Sequence, residues 1–228
     1  MIPTAWPRYL PAGDAALVVE FGDGINEAVN LQVRALAQSL AQAAMEGFGE
    51  AVITYRSLLV HYDPARWTYD DALRMVRERV SSAGQAQTAE GRLIEVPTVY
   101  GGDFGPDLEY VAAHNGLTAE EVVRLHTWAD YPVYMLGFTP GFPYLGGLPP
   151  AIAAPRLETP RPRVPAGSVG IAGQQTGVYP VESPGGWRII GRTPLRLFDP
   201  LRDPPALLSP GDRVRFVAIS PAEFDNGA

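Results

Sequence analysis

The sequence predicts an α+β chain, with a small N-terminal α/β layer followed by a C-terminal region of short, turn-rich strands that close a barrel or sandwich. Three observations predict it. Strand-like and helix-like hydrophobic periods alternate up to Tyr100, and the helix period vanishes beyond Tyr131. Glycine and proline crowd the second part, where residues 131–200 hold 24 of the chain's 47. Charge divides the same way: residues 131–196 carry six arginines against Glu158 and Glu182, so this segment is +4 in a chain of net charge -7. Such Gly/Pro density accompanies disorder in many chains, but here eight aromatic residues between Tyr131 and Phe198 supply core-forming material.

In the first part, Ala15–Phe21 alternates as a strand. Asn26 caps a helix whose apolar positions Val29, Val33, Leu36 and Leu40 recur at helical spacing, with Gly47 as its stop. Ala51–Tyr55 and Ser57–Tyr62 are strands, Thr68 opens a second helix striped by Leu73, Val76 and Val80, and Arg92–Tyr100 is a further strand. Two short helices follow. One, Asp107–His114, stops at Asn115-Gly116; the other, Thr118–His126, opens with a Thr118…Glu121 capping box that Leu117 and Val122 flank as a hydrophobic staple. Beyond them the expected strands are 131–138, 168–173, 177–181, 187–193, 195–199 and 212–219, separated by Pro-Gly turns. A domain boundary is expected near 85–105, which gives domains of residues 1–88 and 89–228.

Composition excludes several chemistries. All 18 basic residues are arginine, so there is no Schiff-base lysine and no phosphate-loop lysine. The absence of cysteine removes thiol nucleophiles, disulfides and cysteine-ligated metal. The three histidines, His61, His114 and His126, include no pair at HxxxH spacing, so no metal site is expected. An acidic balance argues against nucleic acid. No charged-then-apolar leader and no apolar run of about 18 residues are seen, so the expectation is a soluble cytoplasmic protein with no membrane partner.

Four segments carry candidate chemistry. Gly137-Phe-Thr-Pro-Gly141-Phe-Pro-Tyr-Leu-Gly146-Gly147-Leu-Pro149 brings glycine backbone within reach of a ligand, but Pro140, Pro143 and Pro149 forbid the helix a dinucleotide site requires. It is either a binding loop or a turn that packs Phe138, Phe142 and Tyr144. Arg156, Arg161 and Arg163 offer forks for a small carboxylate or carboxyphosphate, or else a solvated face. Ser183, before Pro184-Gly185-Gly186-Trp187, fails the esterase elbow because Pro184 has no N–H for an oxyanion. It reads as a turn hydroxyl or a substrate-binding one. His126 lies on the apolar side of its helix, as a satisfied core histidine or as a general base beside the glycine loop.

Taken together, Gly13-Asp14-x-Ala16-Leu17, Tyr55-Arg-Ser-Leu-Leu-Val-His61-Tyr62-Asp63-Pro64 and Tyr131 to Leu145 resemble the B-subunit family of 5-oxoprolinase, also named the allophanate hydrolase subunit 1 or KipI family. Pro155-Arg156, Pro160 to Ser168, Ala172-Gly-Gln174-Gln175-Thr-Gly177, Tyr179 to Trp187 and Gly191-Arg192-Thr-Pro-Leu195 continue the resemblance over nearly the whole chain. It implies a C-terminal cyclophilin-like β-barrel behind the α/β domain. It also implies a subunit that is inactive alone and works with the homologous C subunit and with the A subunit of 5-oxoprolinase. Together these cleave 5-oxoproline (pyroglutamate) to glutamate at the expense of ATP. The same family also covers inhibitors of sensor histidine kinases and carboxyltransferase subunits of urea metabolism. On the first of these functions, His126 is expected as acid/base, with Tyr144 and Ser183 beside it as catalytic hydrogen-bonding groups. Arg156, Arg161, Arg163, Arg192, Gln174 and Gln175 are expected to bind the small anionic substrate. Gly137, Gly141, Gly185 and Gly186 are the expected loop glycines. ATP, with magnesium, is expected on this chain or shared with a partner subunit.

Overall fold

The computed structural model describes residues 5–83 and 91–225. The chain divides into two compact units, Met1–Glu90 and Gly91–Ala228; the expected boundary at 88/89 lies outside the described residues.

The first unit is an antiparallel sheet under two helices. Strands β1 (Arg8–Pro11), β2 (Ala16–Glu20), β3 (Phe48–Ile53) and β4 (Ser57–Tyr62) lie in the order β1-β2-β4-β3; α1 (Glu27–Ala43) connects β2 to β3, and α2 (Tyr69–Ala83) follows β4. Period-two alternation aims Leu17, Val19, Leu58, Val60 and Tyr62 at one face, where Val33, Leu36 and Leu40 of α1 and Val76 of α2 meet them. The Asn26 side chain accepts the Val29 N–H at 2.9 Å as the N-cap of α1. The helix ends earlier than Gly47 predicts, because Ala44 itself takes the left-handed C-cap conformation at φ 44°. Strand β1 is an addition to the sequence-based expectation, paired with β2 through Tyr9 and Val19.

The second unit begins with β5 (Leu93–Tyr100), then α3 (Leu108–Asn115), α4 (Ala119–Trp128), β6 (Asp130–Leu136), β7 (Pro143–Leu145), β8 (Arg161–Val164) and β9 (Ser168–Ala172). It continues with β10 (Gln175–Val178), β11 (Ser183–Gly185), β12 (Arg188–Arg192), β13 (Arg213–Ala218) and α5 (Pro221–Asp225). Seven of these strands close a barrel in the order β10-β7-β6-β13-β5-β12-β9. Strand β5 belongs to this barrel and pairs in parallel with β13, Val96 opposite Phe216. The interior is filled by Val96, Tyr131, Leu145, Ile171, Ile190 and Phe216, and α3 and α4 close over it with Val111 and Val122. The Thr118–Glu121 capping box starts α4 with both reciprocal bonds in place.

Strand β8 pairs only with β11 in a separate two-stranded sheet. This ribbon and β7 escape sequence prediction because each is three or four residues long and contains a proline, which leaves no alternation to read. The expected strand at 195–199 is replaced by a single bridge between Phe198 and Ala206. No helix among the described residues is long and apolar enough to cross a membrane.

Candidate functional site

A cavity of about 490 Å³ opens between the β6–β7 loop and the β8–β11 ribbon. Its wall is an aromatic cluster centred on Phe142, which is 1% exposed. The rings of Phe138, Tyr144, Tyr179 and Trp187 meet Phe142 edge-on at centroid distances of 5.6, 5.1, 5.3 and 5.4 Å. The loop that brings Phe138 and Phe142 together is sharply folded. Gly141 sits at φ 77° with Phe198 Cβ 3.0 Å from where a Cβ would stand, and Phe138 itself is held at φ 64°. Non-glycine residues in that region concentrate at binding and catalytic sites.

Polar side chains of four residues belong to the same lining. Arg156 stands at the rim, its guanidinium 6.0 Å from the Trp187 ring centroid, and makes no ion pair among the described residues. The Tyr144 ring lines the cavity. Ser183 Oγ and Thr139 Oγ1 are both buried without a hydrogen-bond partner among the described residues, and both residues line the same cavity. Gly185 and Gly186 form the floor. A Cβ on Gly185 would collide with the Tyr179 hydroxyl, so only glycine lets the ribbon lie against that ring. Burial raises the Tyr179 phenol above its ordinary range, so it stays a neutral hydrogen-bonding wall.

One buried carboxylate holds the cavity's frame. Asp107, just before α3, accepts both Arg161 Nη groups at 2.9 Å and the Ile189 N–H at 2.6 Å, with Arg188 Nη1 at 4.0 Å. This ties β8, β12 and the start of α3 to a single point beside the Trp187 backbone.

The structure brings Tyr144, Arg156, Ser183, Gly185 and Gly186 together at the cavity and places the other sequence candidates elsewhere. Both Arg161 Nη groups are engaged by Asp107. Arg163 forms an exposed ion pair with Glu182 at 2.6 Å. Arg192 donates to the Ala166 carbonyl at 2.9 Å and lines a different hollow of about 730 Å³, alongside Phe198 and Phe224. Gln174 and Gln175 occupy the β9–β10 hairpin, where Gln175 pairs with Ala172, and neither lines the cavity. Gly137 and Gly141 shape the β6–β7 loop without lining the cavity.

His126 lies inside the barrel and is fully buried. Its two ring nitrogens are used: Tyr100 Oη lies 2.8 Å from Nδ1 and Thr176 Oγ1 lies 2.9 Å from Nε2. Thr176 donates its hydroxyl hydrogen to the Gly170 carbonyl at 3.1 Å, so its oxygen accepts from Nε2–H, and Nδ1 accepts from the Tyr100 hydroxyl. The chain of bonds requires a neutral imidazole, and desolvation lowers the His126 pKa to about 3. The imidazole is therefore enclosed on a structural network, with no side open to a substrate. Because the folded value lies below the ordinary 6.5, the contribution of His126 to stability is fully present above that pH and is lost as pH falls toward 3. Denaturant melts should show wild-type stability dropping between pH 6.5 and 4 by about 1.4 kcal/mol per pH unit more than in His126→Gln. Equal slopes in the two proteins would contradict this.

Sequence reasoning misses Thr139, Asp107, Tyr179 and Trp187 as parts of the site. Thr139 lies within the candidate glycine loop, and Asp107 carries only the signal of a helix start.

Residues 7–208 match the family described as "Carboxyltransferase domain, subdomain C and D". The chain is 48% identical over 222 residues to the B subunit of 5-oxoprolinase from Bacillus subtilis (strain 168), covering 93% of this chain and 92% of that protein. It is 47% identical over 205 residues to the B subunit of 5-oxoprolinase from Escherichia coli O157:H7, covering 90% and 93%. Among solved structures, TTHA0988 superposes with a TM-score of 0.80 at 42% identity, over 90% of this chain and 40% of that one. The chain thus spans less than half the length of TTHA0988.

Proposed function

The chain belongs to the B-subunit family of 5-oxoprolinase, and we propose that it works as that subunit in an ATP-dependent 5-oxoprolinase, cytoplasmic and assembled with the C and A subunits. The observation that carries this is the match to B-subunit proteins at close to half identity, over 90% or more of this chain and of each relative. The cavity fits the small anion such an enzyme takes. A guanidinium with no carboxylate partner among the described residues, at the mouth of an aromatic hollow, binds one carboxylate strongly, because the pair is shielded from water on one side. We assign Arg156 to the substrate carboxylate, with Ser183 and Tyr144 as neighbouring hydrogen-bonding groups.

The same residues do not fit ATP. One guanidinium does not match a triphosphate, and the cavity lining contains no carboxylate to hold magnesium. Among the described residues no group of three or more His, Asp and Glu is placed to hold a metal ion. ATP is accordingly assigned to a partner subunit or to a shared surface.

Mixing the chain with the A and C subunits of its own organism should give ATP-dependent release of glutamate from 5-oxoproline that disappears when the chain is omitted. No release from three folded proteins would overturn the assignment in favour of kinase inhibition or carboxyl transfer to an amide.

A further inference from the structure

We propose that Thr139 and Ser183 form a neutral two-point clamp that recognises the amide of a cyclic lactam, so that this cavity selects the ring-closed substrate over carboxylates lacking an amide and over the ring-opened product. The proposal rests on the assignment of the cavity as the substrate site and adds its specificity determinants.

Buried hydroxyls almost always find a partner, because leaving one unpaired sacrifices its hydrogen bonds to water with nothing in return. Here two such hydroxyls, carried by cavity-lining residues more than forty positions apart, have no partner among the described residues, and each oxygen is closed off from water, so a χ1 rotation must turn it toward the ligand. Ser183 is only 8% exposed, so its hydroxyl has no ready access to bulk solvent. A hydroxyl both donates and accepts. One O–H can therefore be given to a lactam carbonyl while the other oxygen receives the lactam N–H. The edge-packed rings of Phe142, Tyr179 and Trp187 offer apolar contact to ring methylenes. Arg156 supplies the single positive charge, and no Asp or Glu is among the lining residues. An ammonium group on a ring-opened amino acid therefore meets no counter-charge, and its second carboxylate meets no second cation. A site built to hydrogen-bond a polar group discriminates strongly against an analogue that lacks it, since the site's own groups are then left unpaired.

The roles separate by ligand and by variant. Equilibrium dialysis of the full chain, alone and with the A and C subunits, in the absence of ATP, would measure binding of labelled 5-oxoproline and of cyclopentanecarboxylate, with the mixture lacking this chain as background. Wild type should prefer 5-oxoproline. Thr139→Val and Ser183→Ala should each shrink that preference by about tenfold by weakening only the lactam. Their thermal stability should be unchanged or higher, because an unpaired polar group has been removed. Arg156→Ala should weaken both ligands alike. A preference that survives both hydroxyl variants overturns the clamp, as does equal or absent binding of the two ligands to wild type. If glutamate release persists in the reconstituted complex while the preference is unmoved by the variants, only the clamp fails. If release is absent while the preference collapses as expected, the clamp stands and the assignment to the oxoprolinase complex fails.

Discussion

Arg156→Ala is expected to lower kcat/KM for 5-oxoproline in the reconstituted complex by about 10- to 100-fold, the range of a lost hydrogen bond to a charged group. The effect should fall on the KM for 5-oxoproline and leave the KM for ATP unchanged, because the triphosphate is assigned elsewhere. Arg156 is exposed at the rim and carries no structural ion pair among the described residues, so the variant should fold and melt like wild type. Arg156→Lys should recover part of the loss. It restores the charge but not the planar fork that binds both carboxylate oxygens. A rate within about twofold of wild type for Arg156→Ala would remove this residue from the site.

The second large effect is structural. Asp107→Ala should destabilise the barrel unit by about 3–5 kcal/mol, the cost of leaving buried charges without their partner. Arg161 and Arg188 retain only 31% and 14% of their side-chain exposure, so neither can simply rehydrate, and the Ile189 N–H loses its acceptor as well. For a chain of this size each kcal/mol moves a melting temperature by roughly 2–4 °C, so the barrel transition should drop by about 10 °C. Asp107→Asn, which keeps an acceptor for Ile189 but removes the charge, should fall between the two. Circular dichroism melts at neutral pH are sufficient to decide it, and a barrel transition within a degree or two of wild type in Asp107→Ala would refute the anchoring role. Replacing Arg161 instead should cost less, since Asp107 keeps the Ile189 N–H and the nearby Arg188.

Periodic elements are legible in the sequence and tertiary partnerships are not. The helices at Glu27–Ala43, Tyr69–Ala83 and Ala119–Trp128 announce themselves by caps and apolar stripes within a few residues. The fates of the arginines depend on partners far along the chain. Arg161 is claimed by an aspartate 54 residues earlier, Arg163 by Glu182 and Arg192 by the Ala166 carbonyl, and nothing local distinguishes them from Arg156. His126 is ambiguous for the same reason. Its position on the apolar stripe of α4 suits a core residue, and Tyr100 and Thr176, which settle its place, come from two other strands. The lactam clamp illustrates the converse. Thr139 stands in a stretch that any turn would use, and only the absence of a hydrogen-bond partner for its hydroxyl among the described residues sets it apart.

The parallel pairing of β5 with β13 has a consequence for how the molecule is made. These neighbours are the first and last strands of the barrel, from Leu93 to Ala218, and β13 also supplies the edge on which β6 pairs. During synthesis the ribosome therefore releases six barrel strands before the seventh can join them. Until then β5 and β6 lack their common neighbour, and the side chains of Val96 and Tyr131 have no Phe216 to rest on. High contact order of this kind slows folding and lengthens the time that unpaired strand edges are open to other chains. The four-stranded N-terminal sheet, whose strands all lie within Arg8–Tyr62, faces no such wait. Heterologous production should accordingly be limited by closure of the barrel, at a step that lower temperature and slower translation relieve.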